Sequence, residues 1–227
     1  MIAVLGPGGV GGFVAGALAR AGTPVTVVAR ESTAERIERD GIEVRSVRLG
    51  DFTAHPAAMA RLDEAGATLL VAPKAAGLGP ALERVGAEPT LVVPLLNGLD
   101  HMALLRERFP GRVAAGAIRI EADRPAPGQV VHTSQFLRID LASDDPALRP
   151  GLEDLAATLT AAEIPAQVGD SEAQVLWGKL VRLNALACTT SASDRLLGEV
   201  RRVALSLREY RGQAPKKSKL RLAQVGS

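Results

Sequence analysis

The chain has 227 residues, about one and a half times a typical ~150-residue domain, which suggests one large domain or one domain with a smaller attachment. Hydrophobic residues make up 47% and charged residues 23%, and no apolar run reaches the roughly 18 residues of a bilayer span, so a membrane bundle is excluded. The net charge of +2 hides an asymmetry: residues 201–227 hold eight basic side chains against Glu209 alone, a net +7 that leaves −5 on the first 200. One cysteine, Cys188, excludes a disulfide framework, and with three scattered histidines no metal site is expected. The start, Met1-Ile2-Ala3-Val4-Leu5, carries no basic leader, which points to a cytoplasmic protein.

In chain order, Ile2-Ala3-Val4-Leu5 is a continuous apolar run, as expected of a strand buried on both faces. Gly6-Pro7-Gly8-Gly9 leads into a predicted helix over 10–20, ended by Gly22. After the break at Thr23-Pro24, residues 25–28 read as a second strand. A short helix is predicted over 32–40, with Ser32 as N-cap and Glu35 completing a capping box. Residues 42–47 alternate apolar and polar, as an edge or antiparallel strand would. Strands are predicted at 68–72 and 90–93 with a helix at 78–85 between them, and a helix at 99–109 is stopped by Pro110-Gly111. This alternation predicts an open parallel sheet with helices on both faces.

The pattern changes after Val113. Residues 113–120, 129–132 and 136–141 read as strands joined by short loops, a mixed or antiparallel extension of the sheet. A helix at 148–162 and a strand at 164–168 follow. From Ser171 onward the reading is helical, with one helix running through Trp177 and Leu183 and a second over 194–210. The expected organisation is a dinucleotide-binding domain at 1–168, a short helical substrate or dimerisation segment at 169–211, and a basic tail at 212–227 whose composition predicts disorder. Only Tyr210 in the basic region could stack on a base, so nucleic acid is not the expected partner.

The segment Gly6-Pro7-Gly8-Gly9-Val10-Gly11 satisfies G-x-G-x-x-G between a buried strand and a helix, the setting in which that pattern binds a dinucleotide. Gly6 permits the tight turn, Gly8 lets backbone approach a pyrophosphate, and Gly11 lets helix and strand pack closely. The helix N-terminus then offers N–H groups and partial positive charge to the diphosphate. The second strand ends Val28-Ala29-Arg30-Glu31, and both dinucleotides have a candidate there. Glu31 could hold the ribose diol of NAD, and Arg30 the extra phosphate of NADP. Arg30 comes first after the strand with Ser32 and Thr33 beside it, so NADP is preferred.

Three later stations complete a resemblance. Leu70-Val71-Ala72-Pro73-Lys74 delivers a lysine at the end of a buried strand; Leu95-Leu96-Asn97-Gly98-Leu99 follows the next strand; Trp177-Gly178-Lys179-Leu180 lies on the first long helix after the expected boundary. With Pro127-Gly128-Gln129-Val130-Val131-His132, this ordered set resembles the ketopantoate reductase (2-dehydropantoate 2-reductase) family over about residues 1–195. The resemblance implies an α/β fold, a Rossmann-type dinucleotide-binding domain followed by a short, incomplete all-helical domain. It implies hydride transfer from NADPH to a small 2-oxo acid or related ketone, a step of pantothenate biosynthesis. It makes Lys179 the general acid, places Asn97 near nicotinamide and substrate, and puts Lys74 in the cleft against cofactor or substrate. A non-catalytic dinucleotide-binding protein is the alternative.

The sequence departs from the family in two ways. The family's substrate-binding asparagine, four residues after the helix lysine, is here Leu183, with Asn184 one residue on and about 100° around the helix. The family's further helices have no counterpart after about Val200, so a truncated chain is expected. An apolar face through Leu180, Leu183, Leu186 and Ala187 would then be uncovered, and a homodimer could cover it. Trp177 is expected to pack at the domain junction, Cys188 to be a core thiol, and His132 to be structural or at the surface.

Overall fold

A computed structural model of the chain describes residues 1–203. The chain divides into two compact units, Met1–Leu180 and a second beginning at Val181. The predicted second helix beyond Val203, Tyr210 and the 212–227 tail lie outside the described residues.

The first unit is built on a five-stranded sheet in the order β5-β2-β1-β6-β7, with every neighbouring pair parallel. Its strands are β1 (Ile2–Leu5), β2 (Val25–Val28), β5 (Ala57–Met59), β6 (Thr68–Val71) and β7 (Leu91–Pro94). Side chains alternate between faces along a strand. Val4, Val27, Leu70 and Val93 therefore enter one apolar cluster, and Ala3, Leu5, Val28, Leu69, Val71 and Val92 the other. The helix α1 (Gly9–Arg20) covers the first face with Phe13, Val14, Ala17 and Leu18. The second face is covered by α3 (Leu78–Leu82) and α4 (His101–Arg108), through Leu78, Leu82, Met102 and Leu105. Each fully buried Leu or Phe contributes about 1.5–3 kcal/mol, which fixes the alternation in place. This is the open parallel sheet that the strand–helix alternation predicts.

Several details differ from expectation. The helix α2 (Glu31–Asp40) starts one residue early, with Arg30 at the N-cap and no side-chain cap, so the Ser32–Glu35 capping box does not form. The Arg30 carbonyl accepts from Thr33 N–H at 2.8 Å and Ala34 N–H at 2.9 Å, so the first turn closes on backbone alone. The strand β3 (Ile42–Ser46) pairs antiparallel with β4 (Gly50–Ala54), an exposed polar strand without an apolar signature. It also pairs parallel with β10 (Gln129–His132), which puts β3 inside a four-stranded sheet with β9 (Ala122–Asp123) rather than at an edge. The strands β8 (Ala115–Arg119), β11 (Arg138–Ala142) and β12 (Ala166–Val168) form a third sheet. The predicted extension of the main sheet is thus two separate sheets, and a bridge from Val92 to Val113 brings the third beside β7.

His132 is buried and structural: Nδ1 meets Ser46 Oγ at 2.8 Å, and the ring packs edge-on against Phe13. The helix α5 (Arg149–Ala161) packs on β11 and β12. The last long helix, α6 (Glu172–Ser193), begins in the first unit and ends where Asp194 adopts a left-handed φ of 48°. In the second unit, residues 197–203 are helical and most described side chains are exposed.

Candidate active site

The carboxyl ends of four adjacent parallel strands present the residues singled out by the sequence. The glycine loop follows β1; Arg30 lies two residues after β2; Lys74 follows β6; and Asn97 follows β7. Ligands of open α/β sheets bind at such strand ends. Leu5 pairs with Val28 on one side and Val71 on the other, so the loop sits between the Arg30 and Lys74 segments.

The loop is shaped by steric necessity. Gly6 has φ +85°, and a methyl there would lie 2.9 Å from Pro73 N. A methyl on Gly11 would lie 2.3 Å from the Gly6 carbonyl oxygen, and one on Gly9 2.3 Å from that of Ala122. Gly8 is open, its nearest neighbour for a methyl being Ala72 O at 3.9 Å. Among the described residues, the N–H groups of Gly9, Val10 and Gly11 find no backbone acceptor, and the first turn of α1 carries no acidic side chain. With buried Pro7 behind it, this cradle has space, donors and partial positive charge for a diphosphate.

Arg30 and Lys74 are both exposed and have no side-chain partner among the described residues; Glu31 is likewise exposed and unpaired. Asn97 is exposed, followed by Gly98 at φ +85°.

Lys179 is the most perturbed cation. It lies half-buried on α6, and burial pushes its amine down to about 8, with the neighbouring Arg119 guanidinium acting in the same direction. The helix reaches this position because its first turn is anchored. Glu172 is buried, forms an ion pair with Arg106 on α4, and accepts from Asp144 N–H at 3.4 Å. Asp144 Oδ1 in turn accepts from Glu172 N–H at 3.2 Å. Asn184 lies further along the same helix, in the second unit, and is exposed.

Two residues here carry no role in the sequence reading, Arg119 because nothing singles it out and His101 because it is one of three scattered histidines. Arg119 ends β8, and its Nη1 lies 2.6 Å from Oδ2 of buried Asp140. His101 opens α4 four residues after Asn97. Burial pushes its imidazole below the usual histidine range, the Lys179 charge adds to this and Asp100 opposes it. His101 Nε2 is the buried side-chain atom without a hydrogen-bond partner among the described residues. An Arg at the end of a strand and a His opening the helix that follows Asn97 are the available signals. Both are common enough to pass unnoticed.

Other expectations fail. Trp177 is 55% exposed and Cys188 is exposed, because α6 buries only Glu172 and Val175. Of the face expected to be uncovered, Leu183, Leu186 and Ala187 are exposed and Leu180 is half-buried. No group of three or more potential metal ligands occurs among the described residues, and no helix there is long and apolar enough to cross a membrane.

Residues 2–143 match the family model described as ketopantoate reductase PanE/ApbA. The chain is 27% identical over 206 residues to the uncharacterized oxidoreductase YkpB of Bacillus subtilis (strain 168), covering 87% of this chain and 66% of that protein. It is 28% identical over 207 residues to the 2-dehydropantoate 2-reductase of Mesorhizobium japonicum, covering 79% and 63%. It thus spans about two thirds of the length of these curated relatives. The crystal structure of 2-dehydropantoate 2-reductase from Porphyromonas gingivalis W83 superposes with a TM-score of 0.74 at 25% identity, over 95% of this chain and 84% of that one.

Proposed function

The chain belongs to the ketopantoate reductase PanE/ApbA family, and from that premise we propose that it reduces a small 2-oxo acid or related ketone with NADPH. The observation that carries the reading is Lys179, a half-buried amine that burial pushes down to about 8, at a position that resembles the family's helix lysine. A general acid works best with a pKa near the operating pH, so that it is protonated yet gives its proton up readily.

In this reading Gly6, Pro7, Gly8, Gly9, Val10 and Gly11 hold the diphosphate at the start of α1, Arg30 takes the 2′-phosphate, and Lys74 lies along the cofactor. A reduced nicotinamide, when bound, supplies the hydride to the carbonyl carbon. Asn97 orients the reacting carbonyl. Lys179 Nζ gives its proton to the carbonyl oxygen as negative charge develops there, and the neutral amine recovers a proton from solvent. The Arg119 charge beside it favours that release.

The test is NADPH oxidation by the 227-residue chain across a panel of 2-oxo acids, with Lys179→Ala alongside. Turnover that depends on Lys179 supports the reading, and turnover unchanged in Lys179→Ala overturns the assigned acid. NADPH binding without turnover of any ketone would identify a dinucleotide-binding protein instead.

A further inference from the structure

We propose that Arg119, held in place by Asp140, takes the carboxylate of a 2-oxo acid in this cleft and so sets a preference for 2-oxo acids over uncharged ketones. The assignment rests on the reductase reading and adds to it a residue that determines specificity.

The backbone fixes where Arg119 stands. In the β8–β11 ladder, Asp140 is opposite Ala117 and Arg138 is opposite Arg119. Opposed residues share a face, and so do residues two apart on one strand, which puts Arg119, Arg138 and Asp140 on one side of the sheet. Asp140 is buried and meets both guanidinium groups, Arg119 Nη1 and Arg138 Nε, each at 2.6 Å. Arg119 is therefore oriented through one nitrogen. Among the described residues, the opposite edge of its guanidinium, Nε and Nη2, makes no hydrogen bond. That edge is the fork that pairs with a carboxylate through two parallel hydrogen bonds.

Arg119 is linked to both halves of the proposed chemistry, by chain to the glycine cradle and by charge to Lys179. It is three residues from Ala122, whose carbonyl oxygen lies against Gly9 at the start of α1, so at most about 10 Å of chain separates it from the glycine cradle. Lys179 is near enough for the Arg119 charge to act on its amine. Two arginines share one carboxylate, and Lys179 adds a further positive charge, so an anion of single charge relieves the local excess. An uncharged ketone cannot. The orphaned Nε2 of His101 beside Lys179 is a second sign that a polar ligand completes this cluster. A bound carboxylate would also hold the Lys179 amine in its protonated form, ready to act.

The experiment compares 2-oxobutanoate with its methyl ester, in wild type, Arg119→Met and Arg119→Lys. Arg138 still faces Asp140 in these variants, and thermal melting confirms that they fold. For Arg119→Met we expect KM for the acid to rise roughly tenfold to a hundredfold while the ester changes by less than about threefold, with Arg119→Lys between wild type and Met. Calorimetric titration of acid and ester into the chain without NADPH reads the same contrast without turnover. Equal losses for acid and ester, or no change for either, overturn the assignment even if reduction itself is robust. If no ketone is reduced yet the acid binds in an Arg119-dependent way, the reductase reading fails and the carboxylate assignment stands.

Discussion

Glu172 and Lys179 share one face of α6, two helical turns apart, with the first tied to Arg106 and the second half-buried beside Arg119. The buried carboxylate acts as the peg that seats the lysine. Glu172→Gln keeps the volume but removes the charge facing Arg106. Because Arg106 is half-exposed, the expected cost is about 1–2 kcal/mol rather than that of a fully buried pair. Denaturant melts should show that loss, and the alkaline limb of activity should move upward as Lys179 becomes better solvated. A stability loss with an unmoved pH profile would limit Glu172 to the fold.

Gly8 and Gly9 are adjacent yet should fail in different ways. A methyl on Gly8 meets nothing closer than 3.9 Å, so Gly8→Ala should fold normally and lose cofactor affinity as its methyl occupies the cradle. A methyl on Gly9 lies 2.3 Å from a backbone oxygen, so Gly9→Ala should cost about 1–3 kcal/mol through backbone displacement. Paired melting curves and NADPH titrations separate the two. Matching melting temperatures for both variants would contradict the contact with Ala122.

The lysine proposed as the general acid should burden stability at neutral pH. Its amine titrates near 8 in the folded protein and near 10.5 when unfolded. Between those values the unfolded chain binds more protons, so stability rises with pH across that window. Lys179→Met should therefore melt higher than wild type near neutral pH, with the gap closing as pH approaches about 10.5. Activity should run the other way, falling as pH rises through about 8. A Lys179→Met variant that melts lower at neutral pH would show that the burial penalty is not there.

Arg30 and Glu31 occupy adjacent, exposed positions just after β2, and the proposed function assigns the adenosine ribose to this end of the sheet. A charge-assisted contact from Arg30 to a 2′-phosphate contributes about 1.5–3 kcal/mol, and solvent exposure places this one at the low end. NADPH should bind at least about tenfold more tightly than NADH, and Arg30→Ala should erase most of the difference. Calorimetry with both cofactors decides it. Equal affinities in wild type would assign the ribose to Glu31.

What the sequence determined by itself is local. Residues 2–5 and 25–28 are strands because each is a short apolar run closed by turn chemistry. The glycine loop could be read because strand, turn and helix start are contiguous, and every residue of the cradle lies within that stretch. Lys179 could be read only through the resemblance, since a lysine on a helix announces nothing. The polar edge strand β4 escaped notice because hydrogen bonding across a hairpin, not burial, defines it. The capping box failed because the backbone after β2 closed the helix first. The cluster of Arg119, Asp140, His101 and Lys179 required tertiary structure. It depends on the register of β8 against β11, which puts an arginine and an aspartate on one face. It depends equally on the Glu172 anchor, which sets α6 down so that burial and a neighbouring cation act on one amine. Charge spacing along a chain fixes neither, because the pKa of a group is set by what surrounds it in space.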